Sequence, residues 1–192
     1  MGIQTVGFNS AKNLNSPTGI TLLTFTLAGQ LYGLPINHVV RIIEMVTITQ
    51  LPGVLDLIQG IINVGGKVVP ILDLRHRFGL PRQAYGLYTP IILVDIDVAD
   101  GILGLVVDTV EQVLDVAENE LEITEAFVPS ALTDQVSIGA AHVAGVAKVD
   151  HQMILVLNVP ALLTPTDKAN LSDVLDNGSS NLTNDPEPGD AG

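Results

Sequence analysis

Three stretches and a scatter of histidines carry residue types that could do chemistry, and each falls short on spacing. Asp95, Asp97, Asp100 and Gly101 suggest a calcium loop, in which alternate carboxylates wrap a hard cation. The glycine comes at the seventh position instead of the sixth, and Val106 stands where the closing bidentate Glu belongs. A hairpin with acidic turn residues is the better reading. Gly60, Gly65, Gly66 and Lys67 approach a phosphate-binding loop, but the Lys is one place late and Val68 replaces the Ser or Thr. Val106-Val107-Asp108-Thr109 offers half of a paired-carboxylate protease site. That chemistry needs a second carboxylate to share a proton and a Gly after the Thr. Val110 follows instead, and no second copy exists, so Asp108 is expected to face solvent or a turn. His38, His76, His142 and His151 show no metal-ligand spacing. His76 lies between Arg75 and Arg77, the one dense positive patch, which is either a solvated helix face or a contact for an acidic partner. No Ser-His-Asp order or nucleophile elbow is visible. The residues therefore predict no enzyme, no catalytic residue, no metal site and no cofactor.

The elements that would position these residues are mostly strands. Hydrophobic residues make up 47% of the 192, yet aromatics are only 4% and Trp is absent, so the core must be built from Val, Ile and Leu. That length suits one domain or two small barrels sharing an interface. The net charge of −13 argues against nucleic acid, whose binding needs a positive footprint, and against an anionic membrane surface. The absence of Cys removes disulfides, thiolate metal sites and a Cys nucleophile, and a cytoplasmic location is expected. No signal peptide, myristoylation signal or membrane-spanning segment is expected, and the sequons at Asn170, Asn177 and Asn181 are read as chance.

The most legible stretch is Gly60–Gly79. Two apolar runs meet at Gly65-Gly66, which predicts a tight hairpin whose turn needs positive φ. The second run, Lys67–Leu72, is almost continuous in Val and Ile and is expected to be buried on both faces. Asp73 should cap a short helix over Leu74–Phe78, ended by Gly79 in a left-handed conformation. Earlier, Leu23, Phe25 and Leu27 alternate with Thr, and Tyr32, Leu34 and Ile36 share a face, giving two strands. Asn37 is placed as the cap of a helix carrying Val39, Ile42, Ile43 and Val46 on one stripe, with Arg41 and Glu44 close enough to pair. Thr47–Val54 reads as extended and Leu80–Thr89 as a loop. Ile91–Ile96 and Ile102–Val110 read as a hairpin, with Val113 and Val116 extending it or following a bend. Glu118–Glu125 reads as an exposed loop. Ile138–Val149 and Met153–Leu157 are paired strands joined at Asp150-His151, and Asn158 is placed as the cap of a last short helix ending at Leu163. Residues 1–18 are expected to be mobile, and the acidic segment 164–192 disordered.

Taken in order, these residues resemble a known family. Phe25-x-Leu27, Tyr32-Gly33-Leu34, Val39-x-x-Ile42, Leu51-Pro52, Gly60-Ile61-Ile62-Asn63, Val68 through Arg75 and Gly104-Leu105-Val106-Val107-Asp108-x-Val110 are together similar to the CheW domain of bacterial chemotaxis coupling proteins. The likeness runs from about Thr21 to Leu163. It implies a mainly β fold over residues 19–163, made of two SH3-like five-stranded β-barrels with short helices and no active site. It implies a free-standing, non-enzymatic adaptor that joins the cytoplasmic tips of chemoreceptors to the regulatory domain of a CheA-type histidine kinase. Two positions depart from the family pattern. Arg41 stands where an acidic residue is usual, and Gly65 where an Arg is usual, so both members of a charged pair near the receptor-binding groove are lost. Losing both is tolerable for the fold, whereas losing one member of a buried pair costs about 3–5 kcal/mol. Partner binding is accordingly expected from Val39, Ile42, Val110 and Val113 as apolar contacts, with Arg41 setting partner preference and Gly65 marking the missing Arg. The alternatives are the same module serving pilus-based or light-directed motility and, from a different class, a small β-barrel hydrolase or metal enzyme.

Overall fold

Strand-forming sequence yields eleven β-strands and very little helix among the described residues. The computed structural model describes residues 19–50, 57–96, 101–123, 142–169 and 171–172. The strands are β1 (Gly19–Leu27), β2 (Gln30–Pro35), β3 (Val39–Glu44), β4 (Ile58–Val64), β5 (Lys67–Asp73), β6 (Pro90–Asp95), β7 (Ile102–Val106), β8 (Thr109–Ala117), β9 (Leu121–Ile123), β10 (Val143–Val149) and β11 (Gln152–Leu157). They form two sheets, one of five strands in the order β3-β6-β7-β5-β4 and one of six in the order β8-β1-β2-β11-β10-β9. The fold is thus mainly β with two sheets, as expected, although the second sheet gains the three-residue β9.

In each sheet a single run of chain reaches from one edge to the other. After β3 the chain returns across β4, where Thr49 and Ile61 exchange backbone hydrogen bonds of 2.8 and 2.9 Å. After β8 a 3₁₀ turn, Glu118–Glu120, leads into β9 at the opposite edge. Both sheets therefore curl around cores of their own. Ile62, Val69, Ile71, Ile91, Leu93 and Val106 fill the first. Leu22, Val116, Ala147, Ile154 and Val156 fill the second. The alternate residues of the same strands, among them Leu23, Phe25, Leu72, Ile92, Val94 and Leu105, form a larger third core between the sheets. Because side chains alternate across a strand, this arrangement demands apolar residues at successive positions. The continuous runs at Val69–Leu72 and Ile91–Val94 meet that demand.

The Gly60–Gly79 stretch forms as its residues dictate. Gly65 and Gly66 sit at φ 60° and 85° between paired Val64 and Lys67, a two-residue turn of the type that matches strand twist. Asp73 accepts from the backbone N–H of Arg75 and His76 and starts helix α1 (Leu74–Arg77). Leu80 N–H donates to Arg75 O and Gly79 N–H to His76 O, and Gly79 adopts φ 67°, a Schellman cap.

Several expectations are corrected. Residues 39–44 are a strand, preceded by a 3₁₀ turn over Ile36–His38, and Asn37 caps no helix. The β-branched residues decide for strand, and a register shift between Val39 and Arg41 accounts for the helix-like spacing. Arg41 and Glu44 form no ion pair, since three residues apart in a strand places them on opposite faces. The 118–125 loop contains the Glu118–Glu120 turn and β9. Asn158 precedes a 3₁₀ turn without a side-chain cap bond. Packed chain also continues beyond Leu163. Residues 165–169 are helical, Asp167 is buried, and Leu171 joins the core between the sheets. The 1–18 segment, the start of the expected 138–149 strand, the 173–192 part of the acidic tail and the middle of the Asp95–Gly101 loop lie outside the described residues.

Candidate functional site

Strands β3 and β8 lie at one edge of their respective sheets, and each is bulged. A bulge inserts one residue, so positions three apart come to share a face that strict alternation would separate. On β3, Val39 is opposite Val94 and Ile42 opposite Ile92, both members of the core between the sheets. On β8, Val110 is opposite Phe25 and Val113 opposite Leu23, again members of that core. Directly opposed side chains point the same way, so all four residues are directed to the face of their strand that carries that core. Val39, Ile42 and Val110 pack against it half-buried, and Val113 remains 42% exposed. The Thr24 hydroxyl fills the β8 bulge, donating to Gln112 O and accepting from Gln112 N–H. Both edge strands thus present half-buried apolar residues to the inter-sheet core, with no reactive group among them.

The other two expected residues lie elsewhere. Arg41 is opposite Leu93, on the face that covers the smaller core of the five-stranded sheet. It is exposed and makes no hydrogen bond or ion pair. Gly65 is in the β4–β5 turn, with open space around its α-carbon, while β4 lies at the sheet edge opposite β3. The Asn63 side chain accepts from Gly66 N–H and closes that turn.

The basic patch is largely consumed within the molecule. The Arg75 guanidinium donates twice to Asp108, at 2.6 and 2.5 Å, and once to Pro81 O at 2.9 Å. Hydrogen bonding to Asp108 raises the Arg75 pKa further above its ordinary value. Asp108 sits where the chain leaves the five-stranded sheet for the six-stranded one, and it also accepts from Ala28 N–H in the β1–β2 turn. Arg77 is half-buried, with the Asp167 carboxylate 3.9 Å away. Of the two settings expected for Asp108, solvent or a turn, it takes the turn, and the reading of Arg75 and Arg77 as a free patch is corrected. Sequence gave no pointer to the pairing, because Arg75 and Asp108 come together only once both sheets are built. His142, beside Arg77, has its pKa lowered, first by burial and then by that cation. A cleft lined by Asp73, Arg75, Tyr85 and Asp108 has room for only a water or two. Among the described residues no three His, Cys, Asp or Glu are grouped to hold a metal, and no helix is long and apolar enough to cross a membrane.

The chain is similar to known proteins over most of its length. The solved structure of scaffolding protein TtCheW from Thermoanaerobacter tengcongensis superposes with a TM-score of 0.67 at 32% identity, covering 78% of this chain and 96% of that one. The chemotaxis protein CheW of Klebsiella aerogenes is 26% identical over 90% of this chain and 96% of its own length. That of Bacillus subtilis is 35% identical over 55% of this chain and 66% of its own. The family model of the CheW-like domain, a non-enzymatic scaffold, matches residues 21–166, and the chain belongs to that family.

Proposed function

We propose that this chain is a chemotaxis scaffold that couples the cytoplasmic tips of chemoreceptors to the regulatory domain of a CheA-type histidine kinase. The observation that carries the reading is that Val39, Ile42 and Val110, half-buried on edge strands of the two sheets, pack against one inter-sheet core, while Val113 on the same edge strand as Val110 is exposed. Relatives named as chemotaxis and scaffolding proteins support it. A few apolar anchors of this kind dominate protein docking, and a charge placed among them is expensive to desolvate. Arg41, exposed on the other face of β3, adjusts partner preference and does not share the apolar contact. Gly65 leaves the far turn without a charged side chain.

The test is co-purification of Val39→Asp and Val110→Asp variants with candidate kinases and receptors, after circular dichroism has shown both to be folded. Loss of binding by about tenfold or more is expected. Folded variants that hold every partner normally would sink the proposal.

A further inference from the structure

One cluster of ionisable groups stands apart from the docking residues and fastens the last described part of the chain to α1. His142 holds the turn after β11 in two ways. Its carbonyl accepts from Asn158 N–H at 2.9 Å, and its ring Nδ1 lies 2.8 Å from Ala161 O. A carbonyl only accepts, so Nδ1 carries the proton of the neutral ring, and a second proton can enter only at Nε2. The ring also packs against Phe78, with centroids 6.2 Å apart. Beyond the turn, Leu162 and Leu163 enter the core between the sheets, and Leu171 joins them after the helical residues 165–169. That helical run opens on a reciprocal cap. The Thr164 hydroxyl accepts from Asp167 N–H at 3.1 Å, and the Asp167 carboxylate accepts from Thr164 N–H at 2.8 Å.

Two charged groups face the His142 ring, Arg77 from α1 and Asp167 from the terminal helical run. The Arg77 guanidinium reaches Asp167 only at 3.9 Å, and its Nε is buried without a hydrogen-bond partner among the described residues. A single carboxylate thus serves one cation at long range while it caps its own helix. A second cation here is poorly compensated. Burial and Arg77 outweigh Ala161 O and Asp167, and they hold the ring's pKa below its ordinary 6.5. A histidine with a lower pKa when packed than when released takes up a proton on release. Packing is therefore at full strength above about pH 6.5, and it weakens as the pH falls through that value toward the packed ring's own pKa.

We propose that the segment following β11 is an acid-sensitive latch: a proton on His142 opposes Arg77 and frees Leu162, Leu163 and Leu171 from the inter-sheet core while both sheets stay folded. Opening of one segment takes less free energy than unfolding the whole, so it coexists with a cooperative global transition.

The test is hydrogen–deuterium exchange of the full chain at about pH 7.5 and about pH 5.5, corrected for the intrinsic rate of amide exchange. Protection of peptides within 158–169 is expected to fall on acidification by up to about tenfold, the ceiling that a released histidine of ordinary pKa sets at the lower pH. Peptides from β1, β2 and β5 should keep theirs. His142→Gln can still donate to Ala161 O but cannot gain a proton, so its terminal segment should show no pH dependence. That comparison separates His142 from His38, His76 and His151. Nuclear magnetic resonance titration of the parent's His142 ring, assigned through its contact with Phe78, is the second measurement and needs no variant; its midpoint is expected below 6.5. Unchanged protection at acid pH, an equal loss across β1 and β5, a dependence that survives in His142→Gln, or a ring midpoint at or above 6.5 would each overturn the proposal.

Discussion

Tyr32 shows how much a single atom can cost. Its ring is fully buried and stacks on Phe25 and Phe78 with centroids 5.6 and 5.7 Å away, at the middle of the core between the sheets. The hydroxyl is buried as well and has no hydrogen-bond partner, and burial pushes its pKa up to about 12. An unsatisfied buried hydroxyl costs about 1–3 kcal/mol, while the ring contributes packing that Phe would keep. Tyr32→Phe is therefore expected to stabilise the protein by about 1 kcal/mol, seen as a higher urea midpoint at unchanged m-value. A lower midpoint would mean that the hydroxyl finds a partner, such as an ordered water, and that the assignment is wrong.

At the scale of elements, closure of the five-stranded sheet depends on Gly60. It holds φ 144°, and a β-carbon there would run into the Thr49 carbonyl that pairs with Ile61. Gly60→Ala is expected to cost about 3 kcal/mol or more, combining backbone strain with a clash that neither strand can relieve. Gly65 is the contrast. Its φ of 60° faces open space, and Asn tolerates that conformation, so Gly65→Asn should stay within about 0.5 kcal/mol of the parent in the same denaturation assay. Equal costs at the two positions would refute this account. These elements also show what the sequence made legible. The hairpin, its Asp73 cap and the Gly79 cap follow from local chemistry and could be placed residue by residue. The β3 segment could not, because a bulge sets apolar Val39 and Ile42 three apart and so imitates a helical stripe. Val110 and Val113 carry the same three-residue spacing for the same reason. The apolar members of the candidate site were thus identifiable by type, whereas their common face depends on two bulges and a shared core. The pairing expected of Arg41 with Glu44 fails for the complementary reason, since strand alternation carries the two to opposite faces.

At the scale of the molecule, two small barrels stand or fall through what joins them. Their largest core belongs to both sheets, with Leu72, Ile92 and Leu105 from one meeting Phe25, Tyr32 and Leu155 from the other. Neither sheet could keep that surface buried alone, so unfolding should be one cooperative event. Asp108 is the polar counterpart of the shared core. It ties α1, which follows a strand of the five-stranded sheet, to the β1–β2 turn of the six-stranded one, with side chains of Arg75 and Asp108 only 14% and 20% exposed. Asp108→Ala leaves the Arg75 guanidinium largely desolvated and strips Ala28 N–H of its acceptor. Breaking a buried pair from one side costs about 3–5 kcal/mol, and partial exposure brings the expectation here to about 2–4 kcal/mol. Arg75→Lys should recover little, because an ammonium cannot reproduce the two-pronged contact. Urea unfolding of Asp108→Ala, followed by far-UV circular dichroism and by tyrosine absorbance, should give coincident curves with a lowered midpoint. Separate transitions would show that the barrels unfold independently, and that the joint is a local contact with no hold over the fold as a whole.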